Sequence, residues 1–121
     1  MAAVNTNRKN HIFPLYLKAD VATIEDAATA QTLPVDTSFI KLVIDGNTNN
    51  ALTLPNGGVP GQMLMIWAET ADATHYATLT ISTVVDGGYD VVTLNAADEH
   101  ITLMWNGEAW ALVSFAGATF I

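Results

Sequence analysis

The sequence predicts an all-β chain: a small antiparallel β-sandwich or barrel of six to seven short strands with an extended N-terminal arm. Two observations carry this expectation. The first is the stretch 101–114, where two apolar runs flank Asn106-Gly107. That dipeptide is the strongest short-range hairpin signal, because a type I′ turn requires positive φ at both central residues. The second is the spacing of short apolar or alternating runs from Ser38 onward, each stopped by Gly, Pro, Asn or Asp. Six or seven strands so spaced form a sandwich or a small barrel. At 121 residues the chain has room for one real core. We expect an arm and connector over residues 1–36 and a β domain over 37–121.

Taken in order, residues 1–18 read as extended. Asn5, Asn7 and Asn10 disfavour a helix, and Pro14 holds the residue before it in β or polyproline geometry. Ile12, Phe13, Leu15, Tyr16 and Leu17 concentrate apolar surface in this arm, and such a patch on a terminal segment is expected to dock. Residues 20–31 stay open: Asp20 suits a helix cap, whereas the β-branched Val21, Thr23 and Ile24 suit a strand or loop. Strands are expected at 39–44, ended by Asp45-Gly46-Asn47, and at 50–54, stopped by Pro55. Residues 62–68 are apolar at almost every position, the pattern of a strand buried on both sides. Residues 77–82 alternate, with Ala77, Leu79 and Ile81 inward and Thr78, Thr80 and Ser82 outward. Asp86-Gly87-Gly88 turns the chain into a strand at 89–94.

The hairpin has two possible registers. A two-residue loop sets Trp105 opposite Glu108, whereas a four-residue loop, Asn106 to Ala109, sets Trp105 opposite Trp110. Both put Ile101, Leu103, Trp105, Trp110 and Leu112 on one face, which other strands must cover.

Charge narrows the function classes. Only 13% of residues are charged, and the net charge is −8. A sparse charged surface on a small apolar chain suggests burial against other copies or a partner. Arg8, Lys9, Lys18 and Lys41 are the only basic residues, and from Leu42 to Ile121 there are eight acids with no Lys or Arg. Such a body repels phosphate, so no nucleic-acid partner is expected. The first 18 residues read as a basic arm or as a solvated tail. There is no cysteine, hence no disulfide or thiolate chemistry. No secretory signal and no apolar run long enough to span a membrane are visible, so a soluble, cytoplasmically made protein without a membrane partner is expected.

No residue pattern in the sequence carries catalytic chemistry, and no enzyme is expected. His11, His75 and His100 share no metal-ligand spacing, and no metal or cofactor is expected. The acids Asp86, Asp90, Asp98 and Glu99 match no calcium-loop pattern. Asn56-Gly57-Gly58 and Asp86-Gly87-Gly88 lack the Lys and the following helix of a phosphate loop, so they read as turns. Ser82 and Ser114 lie outside any nucleophile elbow. Trp67, Trp105 and Trp110 fit core or interface packing better than a sugar platform.

Leu54-Pro55, Gly61-Gln62 with the apolar run after it, residues 77–81 and 92–94, and above all the run Leu103-Met104-Trp105-Asn106-Gly107-Glu108-Ala109-Trp110 resemble a module of tailed-bacteriophage virions. The chain is similar to small β domains of capsid decoration (cement, head-stabilising) proteins and of phage head or tail fibres. The resemblance covers residues 50–115. It implies a non-enzymatic structural protein of the virion, a homotrimer on the outer capsid surface, assembled in the host cytoplasm with the major capsid protein as partner. Arg8, Lys9, Ile12, Phe13, Leu15, Tyr16 and Leu17 of the arm are then the expected capsid contacts. Met63, Met65 and Trp67 are the expected trimer interface. The alternative it implies is a carbohydrate-binding or tip/adaptor domain of a phage fibre.

Overall fold

The computed structural model of the chain describes residues 20–121. Its strands are β1 (Val21–Glu25), β2 (Gln31–Thr32), β3 (Phe39–Val43), β4 (Asn49–Leu54), β5 (Met63–Thr70), β6 (Tyr76–Ile81), β7 (Val91–Leu94), β8 (His100–Trp105), β9 (Trp110–Ala116) and β10 (Thr119–Phe120). They form two five-stranded sheets. Sheet one has the order β9-β8-β5-β3-β1, and sheet two has the order β10-β7-β6-β4-β2. The all-β sandwich is as expected; a barrel is not formed.

Strand direction differs from the expectation. From β1 to β6 the chain alternates between the sheets, so β1, β3 and β5 pair in parallel in one and β2, β4 and β6 pair in parallel in the other. Only β5–β8, β8–β9, β6–β7 and β7–β10 are antiparallel. Parallel neighbours need a long crossover, and here each crossover is a strand of the opposite sheet. Alternating polarity reports which side of a strand is buried, not which way its neighbour runs, so the coil was invisible in the pattern.

The β domain also starts earlier than residue 37. β1 and β2 already belong to the two sheets, and Leu33 behind them is 1% exposed. Among the described residues both lie at the end of their sheet, and along β1 only Ala22 and Ile24 are partly buried while Thr23 and Glu25 are exposed, which dilutes the apolar signal. The two-residue strands β2 and β10 are too short to read from sequence, and with β1 they raise the count among the described residues to ten in place of six or seven. The expected arm, residues 1–18, lies outside the described residues.

The core fills the space between the sheets. Leu42, Leu64, Ile66, Ile101 and Leu103 point in from sheet one, and Leu52, Leu54, Leu79, Val92 and Leu94 point in from sheet two, all essentially without exposure. The coils are stitched by one buried polar side chain. Asn50 accepts the Ala27 amide at 2.8 Å through Oδ1 and donates through Nδ2 to the carbonyls of Asn47 and Tyr76, at 3.0 and 3.5 Å. It thereby ties three successive turns of chain together, and its own polar atoms are satisfied, as a buried amide requires.

The hairpin adopts the four-residue register, with Trp105 opposite Trp110 and Leu103 opposite Leu112. Asn106 explains the choice. Its Oδ1 accepts the amides of Glu108 and Ala109, both at 2.8 Å, and its own amide donates to the Ala109 carbonyl at 3.0 Å. This Asx-type turn uses Gly107 at φ 104°, a conformation other residues resist. Trp105 and Trp110 meet edge to face with centroids 5.4 Å apart. Trp110 is fully buried, and its Nε1 donates to the Pro55 carbonyl at 2.9 Å. Its backbone holds the loop after β6: the Trp110 amide donates to Thr83, and its carbonyl accepts from Val85 and from the Tyr89 hydroxyl.

Candidate interaction face

The two outer faces of the sandwich differ in chemistry. On sheet two the cross-strand rows are Thr32–Thr53–Thr80–Val91 and Ala51–Thr78–Thr93–Thr119. Such threonine rows are suited to water and to a pleated sheet alike. On sheet one the rows are Val21–Phe39–Met65–Thr102–Ser114, Thr23–Lys41–Trp67–His100–Ala116 and Met63–Met104–Ala111. Here the centre of the face is methionine and aromatic.

β5 sets this face. Leu64, Ile66 and Ala68 are fully buried in the core, whereas Met63, Met65 and Trp67 are half-buried on the outside. The expectation of burial on both sides is thus corrected: β5 is the central strand, but no second layer covers its outer side among the described residues. The three expected interface residues do share one face. Phe39, 38% exposed, and Val21, 53% exposed, extend it toward the β1 edge. Met104 extends it toward β8. Phe39 and Met104 were not among the expected interface residues, although their alternation phase sets them on the side away from the buried Ile40 and Leu103. Lys41 ion-pairs with Glu69 at 3.3 Å at the border of the patch.

A second exposed apolar group closes the edge where β9 and β10 approach each other. The register slips between Leu112 and Ser114, and beyond this bulge Phe115 meets Phe120 edge to face at 4.9 Å, with Tyr89 6.5 Å further on. Phe115 and Val113 remain about half exposed, at 52% and 53%. This cluster reaches from one sheet to the other through the Phe115–Phe120 contact.

The remaining candidates resolve as follows. Trp105 and Trp110 are buried, and only Trp67 of the tryptophans reaches the surface. His100 lies on the interaction face beside Trp67, its Nδ1 3.2 Å from the Asp98 carbonyl. His75 lies 3.2 Å from Asp72, whose carboxylate also accepts the amides of His75 and Thr74. These hydrogen bonds, the His75 amide first, hold the Asp72 pKa below the ordinary carboxylate value. Among the described residues no three His, Cys, Asp or Glu side chains come together to hold a metal ion. Arg8, Lys9, Ile12, Phe13, Leu15, Tyr16 and Leu17 lie outside the described residues.

The comparisons bear on most of the sandwich. A family model described as the phage depolymerase C-terminal beta sandwich domain matches residues 19–111, from the start of β1 into β9. No curated protein matches the chain.

Proposed function

The chain belongs to the phage depolymerase C-terminal beta sandwich family, and from that membership we propose that it is a non-catalytic structural module of a bacteriophage tail fibre, serving as its tip or adaptor. The observation that supports an assembly role is the apolar outer face of sheet one, with Phe39, Met63, Met65 and Trp67 exposed or half-buried where the outer face of sheet two carries rows of threonine. Apolar surface of this kind on a small domain marks a contact with another chain. Symmetric self-association is its usual outlet, and a homotrimer is the form we assign. This reading gives the sandwich assembly and attachment, and leaves polymer cleavage to other parts of such proteins. It places the protein in the virion, at the tail.

Capsid decoration keeps the same module and exchanges only its anchoring surface, the major capsid protein. Immunogold labelling of virions separates the two: label at the tail is expected, whereas label spread over the head overturns the fibre reading. A carbohydrate-binding tip is a second reading, favoured by Trp67 standing between Lys41 and His100 in one cross-strand row. Binding on a glycan array that is lost in Trp67→Ala would establish it.

A further inference from the structure

We propose that residues 12–17 of one copy lie across the outer face of sheet one of a neighbouring copy, with Arg8, Lys9 and Lys18 set against that copy's acidic body. The inference rests on the self-association proposed above and names what covers the face.

Area is the first argument. Five strands at about 4.8 Å spacing and the four-residue rise from Met63 to Trp67 span about 19 by 13 Å, roughly 250 Å² in projection. A specific interface needs about 800 Å² from each partner. Contact between two such faces alone therefore falls well short, and further chain must cross the boundary. Residues 1–19 precede β1, and their apolar stretch carries Ile12, Phe13, Leu15, Tyr16 and Leu17. Those side chains match a face of Phe39, Met63, Met65, Trp67 and Met104 in chemistry.

Reach is the second argument. The stretch 12–17 lies four to nine residues before Val21, a distance of about 13–30 Å in extended chain. Val21 itself sits in the row Val21–Phe39–Met65, at the border of the face. An arm leaving there can pass over the boundary to a neighbour packed alongside.

Charge is the third. Residues 1–19 contain three basic residues and no acid, whereas residues 20–121 contain twelve acids against Lys41 alone. Opposite charge on arm and body steers the encounter and fixes its direction. Such a head-to-tail contact, arm to face, closes into a ring when the rotation permits, which a trimer does.

The test uses the full chain with Leu15→Asp/Leu17→Asp in the arm, and separately Met65→Asp on the face. Met65 lies outside the fully buried core, and melting temperature checks that both variants remain folded. Light scattering gives the mass, and acrylamide quenching reports Trp67, because Trp105 and Trp110 are buried. We expect an oligomer for the wild type, whose quenching rises on dilution, and monomers with raised quenching for each variant. Mixed together, the two variants should form a one-to-one complex, since the intact arm of one meets the intact face of the other. An arm variant that keeps the oligomeric mass overturns the proposal. So does quenching that rises in the arm variant but ignores dilution, which would mean that each arm covers its own copy. A wild type that is monomeric at every concentration removes the self-association itself, while tail labelling of virions leaves the fibre reading standing.

Discussion

Trp110 is the largest fully buried side chain among the described residues, and truncating it measures how far the sandwich depends on it. Trp110→Ala removes a fully buried indole, its edge-to-face contact with Trp105 at 5.4 Å and its hydrogen bond to the Pro55 carbonyl at 2.9 Å. Large-to-small changes of this kind cost about 3–5 kcal/mol. The aromatic pair carries about 0.5–1.5 kcal/mol beyond area, and a carbonyl left without its donor costs about 1–3 kcal/mol when buried. These contributions overlap, so we expect about 4–6 kcal/mol in all. Against a total stability of about 5–15 kcal/mol for a domain, that is close to unfolding. At about 4 °C per kcal/mol the melting temperature should fall by about 15–25 °C. Trp110→Phe keeps most of the apolar volume and loses the N–H, so its cost should be smaller, about 1–3 kcal/mol. Urea titration followed by far-ultraviolet circular dichroism gives both values. A loss below about 2 kcal/mol for Trp110→Ala, less than any fully buried tryptophan should cost, would refute the assignment of the hairpin as a core element. Equal losses for the two variants would refute the share given to packing.

Two further outcomes follow from polar groups. Asn50→Ala strips the Ala27 amide and the Asn47 carbonyl of their partner; at about 1–3 kcal/mol for each group left unpaired, denaturant titration should show a loss of about 2–4 kcal/mol, and a change under half a kcal/mol would mean that the coils do not depend on this stitch. Asp72, whose folded pKa lies below the ordinary aspartate value, contributes stability that is present above the unfolded value and is lost as pH falls through the folded one. Carboxyl-carbon NMR should therefore titrate Asp72 below an unstructured aspartate measured under the same conditions, and a midpoint at or above that reference would show that the His75 and Thr74 amides do not favour its charged form.

Much of the local structure was legible because it follows from residue chemistry over short distances. Asn106 and Gly107 marked the hairpin, and the alternation of Ala77, Leu79 and Ile81 with Thr78 and Thr80 appears in β6 as buried and more exposed positions. The register of the hairpin was not decided by the Asn-Gly pair alone, since it depends on which amides the Asn106 side chain captures. The winding was illegible for a different reason. Residues 44–48 and 55–62 look like turns that return a strand beside its predecessor, yet each carries the chain to the opposite sheet. What decides between the two is the packing of Leu42 and Ile44 against Leu52 and Leu54 across the core, a long-range term that no window of sequence contains. β1 stayed open between helix cap and strand because only Ala22 and Ile24 turn inward along it, and β2, at two residues, is too short to carry a pattern.

The interaction face was half legible, and the error is informative. A sandwich of two sheets needs each strand to be apolar on one side only, as β4 and β6 are. β5 departs from that economy, with Met63, Met65 and Trp67 outside while Leu64, Ile66 and Ala68 are inside. Read as sequence, such a strand is buried twice; within the described residues it is buried once. The difference is apolar surface that folding of the sandwich does not use and that water disfavours, at about 25 cal/mol for each Å² exposed. Threonine at the matching positions of sheet two shows that the fold tolerates a polar choice there. The fold therefore does not explain these side chains; the contact with a second chain proposed above would.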